Sequence, residues 1–357
     1  MALAPYMFWA KTRPSARWDL AISNVLGCSI DDLPGAADAL ALSGRNDNGY
    51  EPLLEAIASR YGVRPAQVTT AQGASGANFL VFAALLTPGD DVLVERPGYD
   101  PLMGAARLLG ANVVQFERAD EDGFALDPAR VKAAMTSRTT LIVITSPHNP
   151  SSVVADPDAL RQIGEHAAAR GAHVLVDEVY LDAASPSTPT SAALGDQFVV
   201  TSSLTKSYGL AGLRCGWILS SEAVAARLRR ARDVVDGTGS IVAERLSVVA
   251  FAHLEQLHAR ARALLGTNLP LVREFLKARP ELRCVEPTGG TVVFPRLLNV
   301  DDASRFAQRL LDERETAIVP GHFFQSPGHF RLGFSGETDR LRGGLQAVAA
   351  ALDGREW

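Results

Sequence analysis

Between residues 91 and 206 the chain repeats one arrangement four times: a short apolar, mostly β-branched run that breaks off into polar or turn residues. The runs open "DVLVERPGY" (91 to 99), "TLIVITSPHNP" (140 to 150), "AHVLVDEVY" (172 to 180) and "QFVVTSSLTK" (197 to 206). Runs without polar alternation belong to strands covered on both faces, and such strands occur in mostly parallel sheets. Helical patterns lie between them. "DPDALRQIGEHAAARG" (156 to 171) has an Asp near its start and Gly171 at its C-cap, and "SGANFLVFAALLTPGD" (75 to 90) starts from Ser75 as N-cap and stops at Pro88-Gly89. Strand–helix alternation predicts a large α/β domain over residues 45–235, a mostly parallel central sheet flanked by helices.

The pattern changes after "DGTGS" (236 to 240). Residues 241–280 read as one long helix, "GGTVVFPRL" as strand, 302–314 as helix and "GHFRLGFSG" as strand. Residues 1–44, the N-terminal segment, and 236–357 are expected to form a smaller α+β domain.

At 357 residues and 47% hydrophobic the chain is long and apolar enough for a large core. Its formal net charge of −5 gives no electrostatic reason to bind nucleic acid, and the basic run "ARLRRAR" (226 to 232) reads as a solvated helix face. Cys28, Cys215 and Cys284 are odd in number and far apart, which fits neither a disulfide framework nor a metal site. The start lacks a charged n-region followed by an apolar h-region, and "FLVFAALL" (79 to 86) is far too short to span a bilayer. The expectation is a cytoplasmic protein with no metal and no membrane partner.

Open parallel sheets bind ligands beyond the carboxyl ends of their strands. Just past the apolar runs stand Tyr99, then Asn149, then Asp177 and Tyr180, then Ser203 and Lys206, with Arg214 leading into a further run, "CGWIL". The helix start "GASG" (73 to 76) offers the unpaired N–H groups of Ala74 and Ser75 to the same side. One sheet edge thus collects an amine, a carboxylate, an amide, two phenols, a guanidinium and an anion-binding helix end.

A lysine amine forms a Schiff base with an aldehyde. A ligand with an aldehyde, a pyridine ring, a phenolic oxygen and a phosphate uses every one of these groups. Asp177 would hold the ring nitrogen protonated; Asn149 and Tyr180 would bond the phenolic oxygen; Tyr99 would stack on the ring. Ser203, Arg214, Ala74 and Ser75 would take the phosphate. That ligand is pyridoxal 5′-phosphate (PLP).

With these motifs in view the chain resembles the fold-type I PLP enzymes of the aspartate aminotransferase family, the class I/II aminotransferases. "SLTKSYGLAGLRCGW" is similar to its lysine signature, "SPHNP" to its asparagine motif, "VDEVY" to its Asp-x-x-Tyr motif and "GASGANF" to its phosphate-cup helix, in matching order over about residues 45–335. After Asn149-Pro150 the family often has Thr-Gly where Ser151-Ser152 stands here.

The resemblance implies that Arg331 grips the substrate α-carboxylate. It also implies that Tyr50 reaches the phosphate of a neighbouring subunit in a homodimer, and that Gly27 belongs to an N-terminal segment closing over the substrate. It implies a ping-pong transaminase acting on an amino acid and a 2-oxo acid, with Lys206 as acid–base and Asp177 and Tyr180 beside it. A β-elimination lyase of sulfur amino acids and a non-catalytic PLP-binding regulator are the alternatives. Trp9, Phe323 and Phe324 could border an apolar substrate side chain, but are more simply core or dimer contacts.

Overall fold

The computed structural model describes residues 4–185 and 187–355. Its centre is a seven-stranded sheet: β1 (Val68–Gln72), β2 (Asp91–Arg96), β3 (Asn112–Glu117), β4 (Thr139–Thr145), β5 (His173–Asp177), β6 (Phe198–Ser203) and β7 (Cys215–Leu219). The spatial order is β1-β7-β6-β5-β4-β2-β3. Strand β7 runs antiparallel to both its neighbours, β1 and β6, and the other pairs are parallel. The apolar runs form strands because both faces are covered: Val92, Leu93, Val94 and Leu141 to Ile144 have no exposed surface. One core lies on each face of the sheet.

Register decides what meets at the carboxyl edge. Thr145 lies opposite Asp177, and Asp177 opposite Thr201, so β4, β5 and β6 end nearly level. The reversed β7 begins where the others end, which brings Arg214 to the same edge although it precedes its strand.

Two expected helices are corrected. Helix α1, defined here as Gly73–Leu85, begins two residues before Ser75, with Gln72 as its N-cap. Gly73, at φ +70°, lets the chain turn from strand into helix at once, so Ser75 sits inside the first turn. The long helix expected over 241–280 is two, α2 (Ile241–Ala252) and α3 (Leu254–Lys277), broken at His253. No Gly or Pro marks that break. Ala250 and Leu257 pack with the sheet core, whereas Ala261, Leu265 and Val272 pack with a separate core nearer the C-terminus.

That separate core holds Leu20 and Val25 together with residues from helices Ser304–Arg314 and Thr338–Asp353 and from the short antiparallel strands Val292–Val293 and Phe330–Gly333. Trp18–Asp19 pairs in parallel with Thr316–Ala317, which fastens the N-terminal segment to this part. The basic run at 226–232 is not wholly solvated: Arg232 is buried and bonded to Thr70 Oγ1 (2.8 Å) and Asp236 Oδ1 (3.1 Å).

Candidate active site

A cavity of about 250 Å³ opens at the carboxyl edge of the sheet. Its walls include Ala74, Ser75, Tyr99, Asn149, Asp177, Tyr180, Ser203, Lys206, Arg214 and Arg331. Ten residues singled out from sequence therefore meet in one space, drawn from segments more than 250 positions apart.

Asp177 ends β5 at the middle of the edge and is buried. Its Oδ2 accepts from Asn78 Nδ2 (2.7 Å) and its Oδ1 from the Val179 N–H (3.0 Å), which fixes the carboxylate plane. Asn78 is oriented in turn by Thr201 Oγ1, which donates to its amide oxygen at 2.6 Å. Burial pushes the Asp177 carboxyl above its ordinary range; those two hydrogen bonds and the positive charge of Lys206 oppose the shift. A cationic ring N–H facing this carboxylate would relieve the cost of burying it.

Lys206 follows β6, and its amine donates to Ser23 Oγ at 3.1 Å. Tyr180 O–H donates to the same oxygen at 2.8 Å, and Lys206 Nζ lies 5.7 Å from the centre of the Tyr180 ring.

Arg331 is 1% exposed. Its Nη1 donates to Asn149 Oδ1 (3.0 Å), and its Nη2 to Tyr6 O–H oxygen (2.7 Å) and the Ala21 carbonyl (3.1 Å). Because a guanidinium only donates, the contact identifies the Asn149 amide oxygen and turns the amide nitrogen elsewhere. Arg331 Nε is buried and has no acceptor among the described residues, which suits a group that takes a carboxylate.

The anion cup rests on close backbone approach. The first turn of α1 has no acidic residue, so its free N–H groups meet no competing charge. Gly73 N–H donates to the Arg214 carbonyl at 2.8 Å, and a Cβ on Gly73 would stand 2.3 Å from Arg214 Nη2. A Cβ on Gly216 would lie 2.4 Å from the Gly73 carbonyl carbon. Arg214 itself sits at φ +48°, a left-handed conformation rare for a side chain of that size. Thr205 also lines the cavity, and its buried hydroxyl has no partner among the described residues. Helix end, hydroxyls and guanidinium together match a phosphate dianion. The donor set as a whole fits PLP.

Two expected residues stand apart. Gly27 does not line the cavity: its carbonyl accepts from Arg260 Nη2 at 2.8 Å, and it packs beside Gly209. From the N-terminal segment, Tyr6, Met7, Ala10 and Ser23 reach the cavity instead. Tyr50 lies in another concavity, its hydroxyl accepting from Arg245 Nη1 at 3.4 Å. Trp9 packs on Phe323 (5.4 Å between ring centres) and Phe324 on Tyr6 (5.8 Å), so Trp9, Phe323 and Phe324 form a small aromatic core behind the part of the cavity wall that Tyr6 supplies. His148, beside Asn149, is structural. Its Nε2 faces the Pro97 carbonyl at 2.8 Å and so carries the proton, Nδ1 faces Ser151 Oγ at 2.6 Å, and burial keeps the ring neutral.

Sequence reasoning missed Tyr6, Ser23, Asn78 and Thr145. Asn78 had a signal, since it stands one helical turn after Ala74 on the face that α1 turns to β5 and β6. Tyr6 and Ser23 had none, because their partners lie 325, 157 and 183 residues away.

Comparison with known proteins agrees with this geometry. The family model described as "Aminotransferase class I and II" matches residues 25–348. Capreomycidine synthase of Streptomyces vinaceus is 32% identical, over 98% of this chain and 93% of its own. The arginine–pyruvate transaminase of Pseudomonas aeruginosa is 30% identical, over 84% of this chain and 80% of its own. The crystal structure of a PLP-dependent aminotransferase from Streptococcus suis 89-1591 superposes with a TM-score of 0.92 at 26% identity, covering 100% of this chain and 98% of that one. The chain therefore belongs to the class I and II aminotransferases, PLP-dependent enzymes whose family reaction is amino-group transfer.

Proposed function

We propose that this member of the class I and II aminotransferase family moves an amino group between an α-amino acid and a 2-oxo acid, with Lys206 as its acid–base and Arg331 as its carboxylate fork. The carrying observation is that the Lys206 amine, the oriented Asp177 carboxylate and the incompletely bonded Arg331 guanidinium share one cavity. PLP, when bound, supplies an aldehyde for amines to condense with and a protonated ring that takes up electron density from the substrate Cα.

Each residue has a task there. Asp177, held by Asn78 and Val179, keeps the proton on the ring nitrogen. The Lys206 amine would hold the aldehyde and, once displaced from it by the substrate's own amine, would be free to take the proton from the substrate Cα and return it; among the described residues its one side-chain hydrogen bond is to Ser23. The Asn149 amide nitrogen would bond the phenolic oxygen, as would the Tyr180 hydroxyl on turning from Ser23 Oγ. Tyr99 would stack on the ring. The Ala74 and Ser75 N–H groups, Ser203 and Arg214 would hold the phosphate. Arg331 orients the substrate through its α-carboxylate, so that the Cα–H bond faces Lys206.

Among the described residues Asp177 is the only carboxylate on the cavity wall, and Lys206, Arg214 and Arg331 are its only cations, each already given a task. From one chain there is thus no second clamp for an acidic side chain and no acidic partner for a basic one. We read the substrate as an amino acid whose side chain this chain does not grip by charge. The supporting facts for a homodimer are the family itself and the position of Tyr50 in a second concavity, from which it would serve a partner's phosphate. We divide the chain into a PLP-binding part near 45–235 and a smaller part from both ends, with α2 and the start of α3 packing on the larger one. The cysteines are unpaired, which supports a reducing compartment such as the cytoplasm. Among the described residues no helix is long and apolar enough to cross a membrane.

The test is a half-reaction. The PLP-loaded protein is mixed with neutral, acidic and basic amino acids, each without an oxo acid, and products are identified chemically. Release of the matching 2-oxo acid, with the amino group retained on the cofactor, supports transfer. Since relatives of similar identity are named a synthase and a transaminase, the assay also follows ammonia. Pyruvate and ammonia from sulfur amino acids, with no transfer from any amino acid, would overturn the proposal in favour of β-elimination.

A further inference from the structure

Thr145 closes β4, is 4% exposed, and its hydroxyl joins a buried ion pair to the turn that carries Asn149. The pair is Glu95, near the end of β2, with Arg118, just past β3. Glu95 Oε1 accepts both the Thr145 N–H, at 2.8 Å, and the Thr145 O–H, while its Oε2 accepts from Arg118 Nη1 at 2.9 Å. Arg118 is held in turn, with Nε donating to the Phe124 carbonyl at 2.8 Å and Nη1 also to the Thr145 carbonyl at 3.3 Å. The same Thr145 Oγ1 accepts the Asn149 N–H at 2.9 Å.

A hydroxyl has one proton to give. Here the Glu95 carboxylate takes it, which leaves the Thr145 lone pairs to the Asn149 N–H. The β-branched stem has few rotamers, so the acceptor stands in a fixed place. Glu95 and Arg118 have side chains 1% and 0% exposed. Taking such a pair out of water is costly, and it contributes little net stability over apolar residues of like volume. What this pair supplies is direction, since one carboxylate fixes the last residue of β4 at both its N–H and its O–H. Asn149, four residues on, is then held at two points. Thr145 holds its backbone N–H and Arg331 Nη1 its amide oxygen, at 3.0 Å, which leaves the amide nitrogen free to donate. Loading the site disturbs none of these bonds, because Glu95, Arg118, the Thr145 hydroxyl and the Asn149 backbone N–H are assigned neither to cofactor nor to substrate.

We propose that Thr145 is a positioning residue for Asn149: its hydroxyl, oriented by Glu95, holds the Asn149 backbone so that the amide nitrogen meets the phenolic oxygen of PLP. This rests on the reading of Asn149 as a donor to that oxygen. Thr145 takes no part in proton transfer; it acts through Asn149.

The test uses the full-length PLP-loaded protein and a spectroscopic readout. Visible absorption is titrated against pH for the wild type, Thr145→Val, Thr145→Ser, Asn149→Ala and the Thr145→Val/Asn149→Ala double variant, with thermal unfolding measured beside it. A donor on the phenolic oxygen draws negative charge away from the neighbouring imine nitrogen, so losing or misdirecting that donor should raise the pH midpoint. Asn149→Ala should raise it by about one unit. Thr145→Val, which has nearly the same shape without the hydroxyl, should raise it by about half a unit, roughly a threefold change in proton affinity. Thr145→Ser, which keeps the hydroxyl, should return to the wild-type midpoint. The double variant should match Asn149→Ala, because the amide that Thr145 aims is already gone. Should Thr145→Val fail to fold, Thr145→Cys, a poor acceptor of similar size, carries the same expectation. A lowered Tm with an unchanged midpoint in Thr145→Val, or shifts that add fully with Asn149→Ala, would overturn the Thr145 proposal alone. An unchanged midpoint in Asn149→Ala would overturn the reading of Asn149 and the Thr145 proposal with it. If the wild type gains no PLP-dependent visible band, the Lys206 reading fails and takes both.

Discussion

Replacing Arg331 by lysine keeps the positive charge and removes the fork. In the structure the guanidinium spends Nη1 on Asn149 and Nη2 on Tyr6 and Ala21, and its Nε is left without an acceptor. A lysine ammonium has three donors on one atom and cannot span these directions together with a two-point carboxylate contact. The substrate would lose one or two charge-assisted hydrogen bonds, each worth roughly 1.5–3 kcal/mol. That predicts a fall of about 10- to 10⁴-fold in kcat/KM for any amino acid. PLP affinity should fall much less, because Arg331 meets the cofactor only through the Asn149 amide that it orients. The assay pairs a visible titration of the apoprotein with PLP and single-turnover kinetics with amino acid. Equal losses in both would place Arg331 in cofactor binding or in the fold. An unaltered kcat/KM would remove it from carboxylate recognition.

Asp177→Ala should cut turnover by about 10²–10³-fold while PLP still binds, since the buried partner of a charged ring nitrogen is lost; steady-state kinetics on the loaded variant checks this, and near-normal turnover would show another group protonating the ring. Gly73→Ala should weaken PLP binding about 10- to 100-fold, because the added Cβ meets Arg214 Nη2 and the positive φ costs roughly 1–3 kcal/mol, and a titration with free PLP measures it. Burial pushes the Glu178 carboxyl up to about 7, against the bonds from Thr190 and Ser191. A raised carboxyl binds its proton more tightly in the folded protein, so its contribution to stability falls as pH rises between about 4.5 and 7. Thermal unfolding of Glu178→Gln across that range should show a flatter pH dependence than the wild type, and an identical slope would refute the assignment.

Much of this site is legible in the linear sequence because parallel strands buried on both faces write themselves as apolar runs. The residue after each run then stands at the ligand edge, and Asn149, Asp177, Tyr180 and Lys206 were found that way. Arg214 was legible for the same reason, although only the antiparallel course of β7 explains why a residue before a strand joins residues after strands. Local chemistry misled at Ser75, where a good capping residue was overridden by Gly73 turning earlier, and at His253, where packing on two cores breaks a helix with no breaker in it. Ser23 and Tyr6 were invisible because no local periodicity encodes a contact closed across most of the chain. The N-terminal helix Pro5–Thr12 is anchored by Tyr6 N–H on Asp100 Oδ2 (2.8 Å), again a contact of long sequence range. The task proposed for Tyr50 would need a second chain, which no reading of one sequence places.

The central claim is that the Lys206 amine is the covalent anchor of PLP. The direct measurement is borohydride reduction of the PLP-loaded protein, followed by digestion and location of the pyridoxyl group by mass spectrometry, with Lys206→Ala as control. The account predicts one labelled residue, Lys206, and no label in the folded variant. A label on another lysine, or an undiminished label in Lys206→Ala, would contradict it.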